Sequence, residues 1–204
     1  MSSYTAALSE SFKFNLPAFP KQVALGISLG CTSFLLQTVI KKSCHVFAGI
    51  KFKQKQDTSV VPSHERFDKE FKNIVISFPL LGEVVFRGIV QTLLTTALAN
   101  NIPWLSGRVS STFNLSLARV VSATVIGIFS GIIDSLGYKE GTLALTLTNS
   151  LTGFSYGLAR EKYGLPMTVI AAMNHNLLQV AFDKDYPNFC QLKTRLIWMP
   201  ISQK

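Results

Sequence analysis

QVALGISLGCTSFLLQTVI (Gln22–Ile40) contains no Asp, Glu, Lys or Arg. A run of that length and character approaches the ~20 apolar residues a helix needs to cross a hydrocarbon core. Gly88–Gly107, Val120–Ile133, Gly141–Ala159 and Tyr163–Phe182 share the property. Over all 204 residues the chain is 48% hydrophobic and 15% charged, with a mean hydropathy of +0.30; soluble domains carry roughly 25% charged residues. A soluble bundle would need amphipathic helices with a polar face, and five near-uniform blocks do not supply them. The sequence therefore predicts an all-α fold, a polytopic transmembrane helical bundle of five to six spans. The spans fall at 22–40, 73–99, 115–136, 142–159 and 166–182, within a single domain, 1–204, that has no internal repeat.

The net charge of +9 does not read as a nucleic-acid signal. The chain lacks the interleaved aromatic and basic residues of single-strand binders, and its cations sit mostly between the apolar blocks. The stretch 41–72 carries Lys41, Lys42, Lys51, Lys53, Lys55, Arg66, Lys69 and Lys72, which the positive-inside rule places in the cytoplasm. Its mixed-charge end, HERFDKEFK, is expected to form a short surface helix. With five spans and the amino terminus outside, the basic tail also lies inside, and Arg160 and Lys162 fall on the opposite side. Residues 1–20 read as a short interfacial segment without a signal-peptide pattern, so the first span is expected to drive insertion. A further short apolar segment lies around Leu196–Ile201. Whether the membrane is a bacterial inner membrane or that of the endoplasmic reticulum is left open by these features.

The polar residues inside the spans carry the chemistry, because a mid-membrane charge costs about 2.5–3.5 kcal/mol and faces the bundle interior. In LLGEVVFRGIV (Leu80–Val90), Glu83 and Arg87 are four residues apart and share a helix face. They form either an internal salt bridge or part of a reactive site. In MNHNLLQ (Met173–Gln179), His175 lies between Asn174 and Asn176, with Gln179 one turn later. A histidine there can move a proton or hold an oxyanion; interhelical hydrogen bonding is the plainer alternative. Ser130 and Asp134 share a face near the end of the third span. No metal centre or cofactor is expected. His45 and His64 lie in the basic connection, and Cys31, Cys44 and Cys190 are scattered without a CxxC spacing.

Together these segments resemble a family, the CAAX-processing and bacteriocin-processing intramembrane endopeptidases (CPBP, also called ABI). That family carries EExxFRG on one helix, FxxxH on a second, and a histidine followed four residues later by Asn or Asp on a third. Here Glu83-Val84-Val85-Phe86-Arg87-Gly88 matches the second half of the first motif, and GFSYGLAREKYGLPMTVIAAMNHNLL resembles the region of the third. The resemblance covers about residues 71–182. It implies hydrolysis of peptide bonds in prenylated CAAX proteins or small peptides, with Glu83, His175 and Gln179 as catalytic candidates. Arg87, Phe86, Gly82, Ser130, Asn174 and Asn176 would support them. The chain departs from the pattern in three places. The water-activating glutamate falls on Gly82, the FxxxH motif aligns with Ile126 and Ser130, and the terminal Asn or Asp becomes Gln179. On an α-helix one residue is a turn of about 100°, so Glu83 is expected to point away from the direction Gly82 faces. Two readings follow: an intramembrane endopeptidase, or a non-catalytic scaffold, adaptor or peptide-binding protein on the same fold. The partners expected are the lipid bilayer and a prenylated substrate, a peptide or a protein.

Overall fold

The computed structural model describes residues 3–12, 16–54, 71–110, 115–136 and 138–182. The expected surface helix over HERFDKEFK, apart from its last two residues, and the tail segment around Leu196–Ile201 lie outside them. Six helices account for most of the described chain: α1 (Ser3–Ser11), α2 (Phe19–Ala48), α3 (Asn73–Asn101), α4 (Leu117–Ser135), α5 (Thr142–Tyr163) and α6 (Leu165–Phe182). Two short antiparallel ladders tie connections together. One pairs β1 (Lys53–Gln54) with β4 (Tyr138–Glu140), and the other pairs β2 (Arg108–Ser110) with β3 (Leu115–Ser116). The architecture is all-α.

Among the described residues, three segments are long and apolar enough to cross a membrane: Leu16–Ala48, Asn73–Asn101 and Leu117–Ser135. This is consistent with an integral membrane protein. The two other expected spans are helical but less apolar. α5 ends in Arg160-Glu161-Lys162, and α6 is interrupted by Asn174-His175-Asn176 and Gln179.

Burial is inverted relative to a soluble protein. Buried positions include Glu83, Arg87, Gln91, Arg160, His175 and Gln179, while Leu35, Val39, Leu81, Phe129, Leu143 and Leu147 face outward. Apolar surface on this scale has no aqueous rationale, and polar groups gathered inward are what a bilayer imposes.

Helix limits follow from local chemistry and differ from the expected spans. α2 does not stop at Lys41–Lys42; Lys41 is buried. Lysine is a good helix former, and the helix ends only where Gly49 adopts φ 63°, its N–H bonding back to the carbonyls of Cys44 and His45. This is a left-handed glycine stop. α5 likewise continues past Ala159 to Tyr163, so Arg160 is a buried helical residue and not a loop cation. Its weight in the expected topology is lost with that correction. α3 widens into π-helix at Asn73–Ser77 and again at Glu83–Val90. The first widening precedes Pro79, which lacks the N–H of a regular ladder.

Close approach of backbones sets the packing. Gly127 and Gly131 of α4 meet α5, and Gly153 and Gly157 of α5 meet α4 and α3. Spaced small residues of this kind let membrane helices touch. α2 crosses α6 in the same way, through Gly26 and Gly30. The pairs α4–α5 and α2–α6 form the body of the bundle, with α3 laid against both.

A polar intramembrane cavity as the candidate functional site

The π-helical segment of α3 carries the charge pair inward. Arg87 is 2% exposed and Glu83 8%. Their closest approach, Arg87 Nε to Glu83 Oε1, is 3.9 Å, an ion pair but longer than a hydrogen bond. Arg87 Nη2 donates to Ser130 Oγ at 3.3 Å, and the Ser130 hydroxyl in turn donates to the Gly127 carbonyl at 3.0 Å. The guanidinium lies over Gly153, where a Cβ would stand 2.9 Å from Nη2 and 2.6 Å from Ser130 Oγ. The glycine is therefore part of how α5 admits the arginine.

α6 supplies the opposite wall. His175 is buried and stands edge-on to Phe34, with ring centroids 6.4 Å apart. Gln179 Nε2 donates to Gln37 Oε1 at 2.5 Å, and Gln37 Nε2 donates to Asn149 Oδ1 at 2.9 Å. This amide chain ties α6, α2 and α5 at one level. A Gln37→Leu substitution is expected to destabilise the protein by about 1–3 kcal/mol, because it strands both amide partners. Thermal unfolding in detergent reads the loss; a variant as stable as the wild type would show that the chain is ornamental to the fold.

Between these walls lies a cavity of about 660 Å³, and Glu83, Arg87, Ser130, His175, Gln179 and Asn176 all border it, as do Gly82 and Phe86. Of the catalytic and supporting candidates named from the sequence, Asn174 alone is elsewhere. Its Nδ2 donates to the Ile27 carbonyl at 3.1 Å and to Cys31 Sγ at 3.3 Å, making it a tie between α6 and α2. Asn176 borders the cavity while donating to the Ile74 carbonyl at 2.9 Å. Gly82 and Glu83 are adjacent on the cavity wall, and both border the same space. A side chain at Gly82 would meet nothing within 4 Å.

Sequence reasoning missed Gln37, Asn149, Thr152 and Tyr156, which also line the cavity. A lone amide or hydroxyl in an apolar block was their only signal. It also missed a second polar cluster one to two turns along α3. Gln91 Nε2 donates to the Gly157 carbonyl at 3.1 Å and to Glu161 Oε1 at 3.0 Å. Arg119 Nε pairs with Glu161 Oε2 at 3.2 Å. Arg160 contacts Glu161, Thr92 and Ser11. The contact with Ser11 fastens α1 to the bundle, and Phe12 beside it rests on Gly88, the glycine of Phe86-Arg87-Gly88. Among the described residues no three His, Cys, Asp or Glu side chains come together as a metal-ligand set.

In comparison with known proteins, the chain matches no family model, no curated protein and no solved structure. What the site does must be argued from its own geometry. Opposite charges beside an open volume can bind a dipolar group. A histidine across the space can donate or accept a proton. The Gly82 wall contributes no side chain.

Proposed function

We propose that the protein is a membrane-embedded binding protein of five spans, built like the CPBP endopeptidases, whose polar cavity holds a ligand without hydrolysing it. The observation that carries this reading is the pairing of Glu83 with Arg87 beside an empty Gly82 position. The charges are held by one another, by Ser130 at Arg87 and by Thr168 at Glu83, and the position where the resembling family has its water-activating glutamate is open space. Ser130, aligned with that family's histidine, is occupied in accepting from Arg87.

A second reading, an intramembrane endopeptidase using Glu83 as base, is favoured by one observation. Glu83 Oε2 is buried without a hydrogen-bond partner and borders the same cavity as His175. Such an oxygen could orient a water for attack.

One experiment decides between them. The purified chain is assayed in detergent against a farnesylated CAAX peptide, alongside Glu83→Ala and His175→Ala. The binding reading expects no turnover from any of the three. Turnover by the wild type that both substitutions abolish would establish the endopeptidase instead. A Gly82→Glu/Ser130→His double variant extends the test. Hydrolysis gained by it alone would show a peptidase cavity lacking only its reactive groups.

A further inference from the structure

Three nitrogen and oxygen atoms at the base of the cavity stand out. Among the described residues, Glu83 Oε2, Arg87 Nε and Arg87 Nη1 are buried and have no hydrogen-bond partner. Leaving a buried charge unsatisfied is costly, so these atoms call for a ligand or water. The ion pair does not close on itself; its 3.9 Å separation leaves each partner able to bond elsewhere. What satisfies both must offer a donor to Glu83 and an acceptor to Arg87 from one side, without bringing net charge.

The cavity also has a direction. α4 packs closely along Gln91–Asn101 of α3 and only lightly near Glu83–Val90, so the two helices part towards Phe78. Phe86 borders the cavity from α3 and packs edge-on against Phe129 of α4, with centroids 5.9 Å apart. At the outer end, Phe78 and Leu81 of α3 and Ile133 of α4 border the cavity and are exposed, with Asp134 beside them. α4 ends one residue later, at Ser135. A mouth of apolar side chains at a helix end is the level where acyl chains meet headgroups.

We infer that the cavity takes the headgroup of a zwitterionic aminophospholipid, resting on the binding reading above. The phosphate accepts from Arg87, the ammonium donates to Glu83, and the acyl chain leaves between Phe78, Leu81 and Ile133. An anionic headgroup satisfies Arg87 but sets its charge against Glu83 and Asp134. A cationic amphiphile satisfies Glu83 and leaves Arg87 bare. A single trans peptide group points its N–H and C=O in opposite directions, so it cannot serve both charges from one side. Phosphoethanolamine, with its two charges joined by a flexible two-carbon link, can. The volume of about 660 Å³ lies within the range of small-molecule sites.

The test uses the full chain in detergent with lysophosphatidylethanolamine as probe. Lysophosphatidylglycerol, an alkylammonium amphiphile and a farnesylated CAAX peptide serve as competitors, with Kd and thermal shift as readouts. The zwitterionic lipid is expected to bind about tenfold or more tightly than either singly charged amphiphile. Glu83→Gln and Arg87→Lys are each expected to erase that preference. Because those substitutions touch buried charges, Gly82→Leu provides an independent probe. It fills the cavity from a position without neighbours and improves helix propensity. It should weaken lipid binding about tenfold while leaving the unliganded Tm no lower. Equal affinity for anionic and zwitterionic lipids, or lipid binding unaffected by Gly82→Leu, overturns the lipid assignment. If the peptide alone binds and Gly82→Leu weakens it, the cavity-binding reading survives with a different ligand. If no probe distinguishes Gly82→Leu from the wild type, both readings fall.

Discussion

An Arg87→Met variant is expected to lose about 3–5 kcal/mol of stability. Arg87 is among the most deeply buried side chains of the protein, and its removal leaves the Glu83 carboxylate without a counter-charge in a site that is itself buried. Ser130 also loses the donor it accepts from. The cost is thus mostly the stranded charge, with a smaller part from lost packing of the long side chain. That apportionment has a check. Adding Glu83→Gln to Arg87→Met should recover a large share of the loss, since the remaining pair is neutral and of similar volume. Unfolding of the wild type, both single variants and the double variant in detergent gives the coupling directly. Strictly additive losses would mean that the charges act independently and that the ion pair is incidental.

The second large effect is expected at the α4–α5 crossing. A Cβ at Gly127 would stand 2.6 Å from the Phe154 backbone nitrogen and 2.9 Å from its Cα. Backbone atoms cannot rotate aside as a side-chain end can, so Gly127→Val must push the helices apart. Overpacking of this kind costs about 1–3 kcal/mol, occasionally more. The displacement also lengthens the contact between Arg87 and Ser130, because Ser130 lies on the same helix one turn on. A lowered unfolding temperature together with reduced ligand affinity is the expected pair of results. Gly82→Ala is the control. With open space at its Cβ and a better helix former in place, it should hold or raise stability, by about 0.4–1 kcal/mol. If Gly127→Val is as stable as that control, the close crossing is not a determinant of the fold.

How much of this was legible in the sequence depends on the kind of signal. The uncharged blocks announced helices, and each is helical over most of its length. Their ends were less readable. Lys41 and Arg160 look like boundary markers, yet both are buried within helices. Arg160 can be so because Glu161, one residue on, pairs with it from within the same helix, a compensation visible only in three dimensions. The π-helical turns of α3 left no trace in a reading that assumed 3.6 residues per turn. Within the site, Glu83, Arg87 and His175 were conspicuous because charges and imidazoles in apolar runs demand a reason. Gln37 and Asn149 were not, since an isolated amide is as easily a helix tie as a wall of a cavity; Asn174, which is such a tie, shows how even that signal misleads.

The cluster around Arg160 has a bearing on how the protein sits in its membrane. Arg119, Arg160 and Glu161 lie level with Gln91 and Thr92 of α3, whereas α3 itself continues to Asn101. From Asn73 to Thr92 a regular α-helix would rise roughly 28 Å at ~1.5 Å per residue, and the π-helical turns shorten that, so this part of α3 falls short of the ~30 Å of a hydrocarbon core. The charged belt closes off the part of α3 that borders the cavity, and the last turns of α3 lie beyond it, beside α1. A bilayer thinner than this span leaves part of it without hydrocarbon cover, and tilting is the usual response to a thicker one. In such a membrane, thickness would act on how far the helices bordering the mouth stand apart.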